Sequence, residues 1–275
     1  MPPSTTDYLA GQPLDDAQIG DWVEQFDRDG FLFLKNVLPP DLVRQLRDDL
    51  DAVLGEPSMN IDGKRLHNCM FETSKANLSL FDIEPIVTFA QRLIGEAIHV
   101  FHNNSYRTYP GGGISGWHQD DRPHMLIAEG AVPQNIRLPV LFFNASYYLT
   151  DVDGIDDGPT QIIPGSHLFG SAPPNARFYS EGDRHNLEGT KYETMIHSCL
   201  GPAGSVVMFN NQAWHRGAPN KSDRVRYVTQ VGYARRIIGP MHPPFMNYVM
   251  PEHVYKDADE RLRGLLGFKE SGPYG

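Results

Sequence analysis

The chain is short of several things, and each shortage removes a class of protein. It holds two cysteines in 275 residues, Cys69 and Cys199. A disulfide-stapled secreted scaffold needs more, so two free buried thiols in a reducing compartment are expected in preference to one bridge. No window approaches the ~20 apolar residues that a membrane helix requires. The opening MPPSTTDYLAGQPLDD lacks the basic and apolar regions of a secretory signal. Positive charge is scarce: 24 Lys and Arg stand against 34 Asp and Glu, a formal net charge of −10. Nucleic acid and anionic membrane would be repelled. Internal repeats and low-complexity blocks are missing too. These exclusions leave a cytoplasmic protein with a small-molecule partner, no nucleic acid and no membrane; a homo-oligomer stays open.

What is present is globular material, 40% hydrophobic and 21% charged, enough for one sizeable core. In LDDAQIGDWVEQFDRDG, Ile19, Trp22, Val23 and Phe26 recur at helical spacing, with acids at the start and Gly30 at the end. FLFLKNVL is a short apolar strand. PPDLVRQLRDDLDAVLG is a second helix, carrying Leu42, Leu46, Leu50 and Leu54 between prolines and Gly55. EPIVTFAQRLIG is a third. From about Ala97 short apolar or alternating runs separated by Gly, Pro, Asp and Asn predict strands of a sandwich or barrel: IHVFHNNSYRTY, RLPVLFFNASYYLTD, TQIIPGS, GSVVMFNN and RVRYVTQVGYARR. PEHVYKDADERLRGLLGF returns to helix. The expected plan is one domain over 1–275: a helical buttress at about 14–96, a β-core at about 97–240 and a helical tail at 250–275.

The chemistry concentrates in GISGWHQDDRPH. His118 and Asp120, two apart, would share one side of a strand; taken alone, the pair reads equally as a histidine bonded to a turn carboxylate. A third ligand is offered by His215 in NNQAWHRGAPNKSDRVRYV. Two histidines and one carboxylate hold non-haem Fe(II) with three positions open. Arg226 follows in an apolar strand, where an unpaired guanidinium is costly. With Val228 and Gln230 it would point inward, a rigid fork for a carboxylate such as that of 2-oxoglutarate. Asn104, Tyr106 and Thr108 share one face of the preceding strand and would offer an amide and a phenol to co-substrate or substrate. Gln119, Asp121, Arg122 and His124 would rim the pocket; Phe142, Asn144 and Tyr148 would form its wall. Trp117 should face away from the site, and the polar loop from Ala172 to Tyr192, with Phe178 and Tyr179, would serve as a lid.

GWHQD, DDGPTQIIPGSH, HRGAPNKSDRVR and, more loosely, FDRDGFLFLKNVL and RLRGLLGF occur together and in order. On these pieces the chain resembles the phytanoyl-CoA dioxygenase-like branch of the Fe(II)/2-oxoglutarate-dependent oxygenases. The resemblance implies a mainly β fold with flanking helices around a double-stranded β-helix, the cupin-like jelly-roll. It implies His118, Asp120 and His215 as catalytic iron ligands, Arg226 as anchor of the distal 2-oxoglutarate carboxylate, and Thr160 as a hydroxyl contact to the co-substrate. With Fe(II), 2-oxoglutarate and O2, such an enzyme hydroxylates or otherwise oxidises an unactivated C–H bond of a metabolite, secondary-metabolite biosynthesis being one setting, and releases succinate and CO2. Related halogenases carry a small residue where Asp120 stands, so halogenation is disfavoured. Two other readings remain open: a catalytically silent jelly-roll that binds a metabolite, and a cupin-type metalloenzyme without 2-oxoglutarate.

Overall fold

The computed structural model describes residues 6–7, 14–55, 64–124, 139–174, 187–241 and 247–268. Two antiparallel sheets face each other, with helices covering the outer face of the larger one. The strands are β1 (Thr6–Asp7), β2 (Phe31–Lys35), β3 (Lys64–Asn68), β4 (Ile98–Thr108), β5 (Ile114–His118), β6 (Phe142–Tyr148), β7 (Thr160–Ile162), β8 (His197–Cys199), β9 (Val206–Asn210), β10 (His215–Gly217) and β11 (Arg226–Arg235). The large sheet runs β1-β2-β9-β6-β11-β4-β3 and the small one β5-β10-β7-β8. Its one parallel pair is β1–β2. The mainly β, jelly-roll expectation holds.

Helices α1 (Asp16–Asp29), α2 (Pro40–Leu54), α3 (Lys75–Ser79) and α4 (Ile86–Ile94) pack on the large sheet. α1 begins where the Asp15 carboxylate accepts the Gln18 N–H, and stops at Gly30, whose φ of 80° closes the last turn. Ile19, Trp22 and Phe26 of α1 join Leu46 and Leu50 of α2 in the main core. Leu50 is fully buried, so Leu50→Ala should lower unfolding free energy by about 2–5 kcal/mol, read by chemical denaturation.

The large sheet is buried on both faces, which is why FLFL of β2 and VVMF of β9 are continuously apolar instead of alternating. Leu32, Leu34, Val206 and Met208 turn to the helices; Phe31, Phe33, Val207 and Phe209 turn inward, to a second cluster shared with Tyr106, Tyr148, Ile162 and Val228. Neither cysteine is in a disulfide and both are buried, and burial pushes the Cys69 thiol up to about 11. The tail differs from its sequence reading: it forms two short helices, α5 (Glu252–Tyr255) and α6 (Glu260–Leu265), because Asp259 interrupts the run by capping the Leu262 N–H. The lid expectation falls largely outside the described residues, including Phe178 and Tyr179. No described helix is long and apolar enough to cross a membrane.

Candidate metal and co-substrate site

His118 ends β5 and His215 opens β10. The two strands pair with these residues as direct partners, bringing the imidazole centroids to 4.4 Å. Asp120 is not in the strand, as alternation had predicted: β5 stops at His118. The carboxylate arrives instead because the Asp120 N–H donates to the Asn211 carbonyl at 3.0 Å, folding the chain over the start of β10. Asp120 Oδ1 then lies 3.3 Å from His215 Nε2 and 3.9 Å from His118 Nε2. The three donor atoms lie within 4.8 Å of one another, and no second group of this kind occurs among the described residues.

Both imidazoles are held the same way. His118 Nδ1 sits 3.0 Å from the Gly116 carbonyl and His215 Nδ1 2.9 Å from the Ala213 carbonyl. A carbonyl only accepts, so each Nδ1 carries a proton and each Nε2 is the nitrogen that faces Asp120, free to donate to the carboxylate when protonated and to offer its lone pair to a metal when not. Asp120 Oδ2 accepts from the Asn144 amide. Burial opposes charge on Asp120, but the charge of His215, the hydrogen bond from it and the charge of His118 outweigh burial and bring its pKa to about 2. Burial likewise works against charged His215, and the attraction of Asp120 wins, raising its pKa. Two imidazole nitrogens and one carboxylate oxygen gathered on one side suit Fe(II) with positions to spare.

Arg226 opens β11 and is 4% exposed. Its Nη2 is 3.4 Å from Thr160 Oγ1, its guanidinium lies 5.2 Å from the Tyr148 ring centroid, and it bonds the Tyr106 hydroxyl. Nε has no partner, and no acid among the described residues pairs with the guanidinium. A buried cation without a counter-ion is costly until an anion reaches it.

Arg226, bonded to Thr160, is not itself in the lining of the cavity of about 150 Å³ beside the metal donors; that lining includes Asn104, Tyr106, His118, Asp120, Thr160 and His215. It also includes Leu66, Ser146, Phe209, Arg216, Gly217 and Gln230, which the sequence reading had not assigned to a site. Gln230 shares the inward face with Arg226, and Ser146 lies between Asn144 and Tyr148 on one face of β6, so alternation held the signal for both. Seven expected pocket residues lie outside this lining: Gln119, Asp121, Arg122, His124, Phe142, Asn144 and Tyr148. Gln119 points away from its neighbours and donates to the Gln212 carbonyl at 2.7 Å. His124 stays exposed beside Asp121 and Asn211. Phe142 packs edge-on against Phe101 at 4.8 Å, and Asn144 is taken up by Asp120. Trp117 is buried and faces away, as expected. A larger cavity of about 850 Å³ beside α2 has Arg44, Arg47 and Arg224 in its lining. Arg44 and Arg224 are already paired with Asp41 and Asp157; the lining also holds Arg226 and the carboxylates of Asp151 and Asp157, but no histidine or cysteine.

The model of the family described as phytanoyl-CoA dioxygenase (PhyH) matches residues 26–228, which take in α2 to α4, β2 to β10 and His118, Asp120, His215 and Arg226. The chain belongs to this family. Membership makes it a non-haem iron oxygenase that uses 2-oxoglutarate and O2. Curated relatives include the ectoine dioxygenase of Stutzerimonas stutzeri, 26% identical over 228 residues, covering 74% of this chain and 72% of the relative. Another is that of Bordetella bronchiseptica, 26% identical, covering 92% and 88%. Among solved structures, HygX from Streptomyces hygroscopicus with nickel and 2-oxoglutarate bound superposes with TM-score 0.62 at 14% identity, covering 87% of this chain and 96% of that one. The epimerase SnoN from nogalamycin biosynthesis gives 0.61 at 18%, covering 81% and 85%. These fold neighbours share the jelly-roll core.

Proposed function

We propose that His118, Asp120 and His215 hold the catalytic Fe(II), that Arg226 receives the distal carboxylate of 2-oxoglutarate, and that the enzyme oxidises an unactivated C–H bond of a small-molecule metabolite. Hydroxylation or a related oxidation would accompany release of succinate and CO2. The observation that carries this reading is a three-donor metal set in one cavity whose wall residue Thr160 bonds a buried arginine, Arg226, that lacks an acid partner among the described residues. The iron supplies activation of dioxygen when bound, and the protein supplies position and shelter. Thr160 and Tyr106 hold the guanidinium fork in place, each keeping one of its N–H groups occupied. Asn104, half-buried in the cavity lining, offers an amide to the co-substrate. Tyr106, whose phenol burial keeps protonated, supplies an O–H on the substrate side.

Polar Asn104, Ser146 and Gln230 favour a polar metabolite over a bare hydrocarbon chain. The ectoine dioxygenase relatives make ectoine the first compound to screen, and the antibiotic-pathway fold neighbours make secondary metabolites the next set. Anaerobic titration of the Fe(II)-loaded protein with 2-oxoglutarate should develop the weak visible absorption of an iron–2-oxoglutarate chelate. His118→Ala should abolish it. A colourless titration of the wild type would sink the proposal, and substrate-dependent succinate release would separate an enzyme from a silent binder.

A further inference from the structure

We propose that His102 and Asn144 form a positioning relay that presents Asp120 to the metal through one oxygen only. The inference rests on the metal site proposed above and extends it to two residues that do not line the cavity.

The relay depends on an absent side chain. β4, β11 and β6 are consecutive in the large sheet, and Gly232 of β11 is the register partner of His102 on one side and of Asn144 on the other. Two strand spacings separate those backbones, roughly 9–10 Å, so contact requires one side chain to cross over the middle strand. The His102 ring does so: Nε2 lies 2.6 Å from Asn144 Oδ1. A Cβ at position 232 would stand 2.5 Å from His102 Cδ2 and 2.6 Å from Nε2. Glycine is therefore needed for space.

The hydrogen bonds have one consistent direction. Asp120 only accepts, so Asn144 must turn its NH2 toward Oδ2. Its carbonyl oxygen then needs a donor, which is the Nε2–H of His102. His102 Nδ1 has no partner, as expected when the single N–H of a neutral ring sits on Nε2, and burial favours that neutral ring. His102 and Asn144 are 7% and 3% exposed, and the Phe101 ring, edge-on to the imidazole at 4.5 Å, limits its rotation. Flipping the amide would set its oxygen against a carboxylate oxygen, so His102 selects the orientation that Asp120 needs. With Oδ2 held by the amide, Oδ1 is the oxygen left facing the two histidines. One-oxygen ligation leaves more of the metal's positions open than a chelating carboxylate would.

Co(II) titration of the apo-protein, followed by visible absorption, tests this without any turnover, with circular dichroism and Tm to verify folding. Asn144→Leu should weaken Co(II) binding about 10- to 100-fold, the usual effect of losing an outer partner of a ligand. His102→Leu should weaken it as well, yet the double variant should bind no more weakly than Asn144→Leu alone, because the two residues act in series. His102→Gln retains an N–H donor and should recover most of the loss. Asn144→Asp keeps the shape but sets a carboxylate against Asp120, so it should bind at least as weakly as the leucine variant; it serves if Asn144→Leu does not fold. Asn144 variants that bind Co(II) within two-fold of wild type, or strictly additive losses in the double variant, overturn the relay. A wild type that binds no Co(II), or a His118→Ala that binds it equally, overturns the metal site itself, a result distinguishable from failure of the relay.

Discussion

Replacing Arg226 with methionine should weaken 2-oxoglutarate binding at least about thirty-fold while leaving Co(II) binding unchanged. Losing one partner of a buried, hydrogen-bonded charge pair costs about 2–5 kcal/mol, and under the proposed function 2-oxoglutarate is the anion that pairs with the guanidinium. Arg226 is buried, has an unpartnered Nε and is a cation that no acid among the described residues compensates. Methionine removes that cost and fills similar space. Apo-protein Tm should therefore hold or rise as co-substrate affinity falls. Calorimetric titration and thermal melts, both without turnover, check the two halves. Unchanged 2-oxoglutarate affinity would overturn Arg226 as the residue that receives its carboxylate, and a wild type that binds no 2-oxoglutarate would favour the cupin-type reading without this co-substrate.

The second large effect is expected from Asp120→Ala. Metal affinity should fall by more than about a hundred-fold, since even partners outside the ligand shell are worth about 10–100-fold, and substrate-dependent succinate release should drop to background. The apo-protein should also lose part of its acid dependence. A carboxyl held at about 2 when folded, against roughly 3.9 in an unfolded chain, contributes stability above the unfolded value and loses it as pH falls toward 2. His215 has the opposite sign: its pKa is raised, so its share is complete below the ordinary histidine value and fades as pH climbs through the raised one. The wild-type pair is thus strongest between these limits. Asp120→Ala removes both limbs, which acid and alkaline melts of the two apo-proteins would reveal.

The fold was legible where a local rule had no competitor. α1 and α2 could be read from leucine and aromatic spacing and from Gly30 and Gly55, because one helix face meets one sheet. The inward set Arg226, Val228 and Gln230 could be read because β11 runs straight over those positions. Asp120 was found for a reason that does not hold: the strand ends at His118, and a bond to Asn211, distant in sequence, brings the carboxylate in. Asn144 and Phe142 share a face of β6, yet neither lines the cavity, since reach across the sheet depends on what stands at Gly232 and Phe101 in neighbouring strands. No spacing rule within one segment carries that information. His124 and Gln119 misled for a related reason, as the turn after β5 is shaped by Gln212 from the far end of the core.

The small sheet is slight: β7, β8 and β10 have three residues each, and His118 and His215 face each other across its β5–β10 pair. A cation shared by those two rings would act as a rivet between strands that few backbone bonds join. Its binding energy would then appear as slowed amide exchange in β5 and β10, with the long ladder of β4, β11 and β6 already protected and little changed. Loading the metal would harden the half of the jelly-roll that has least rigidity of its own.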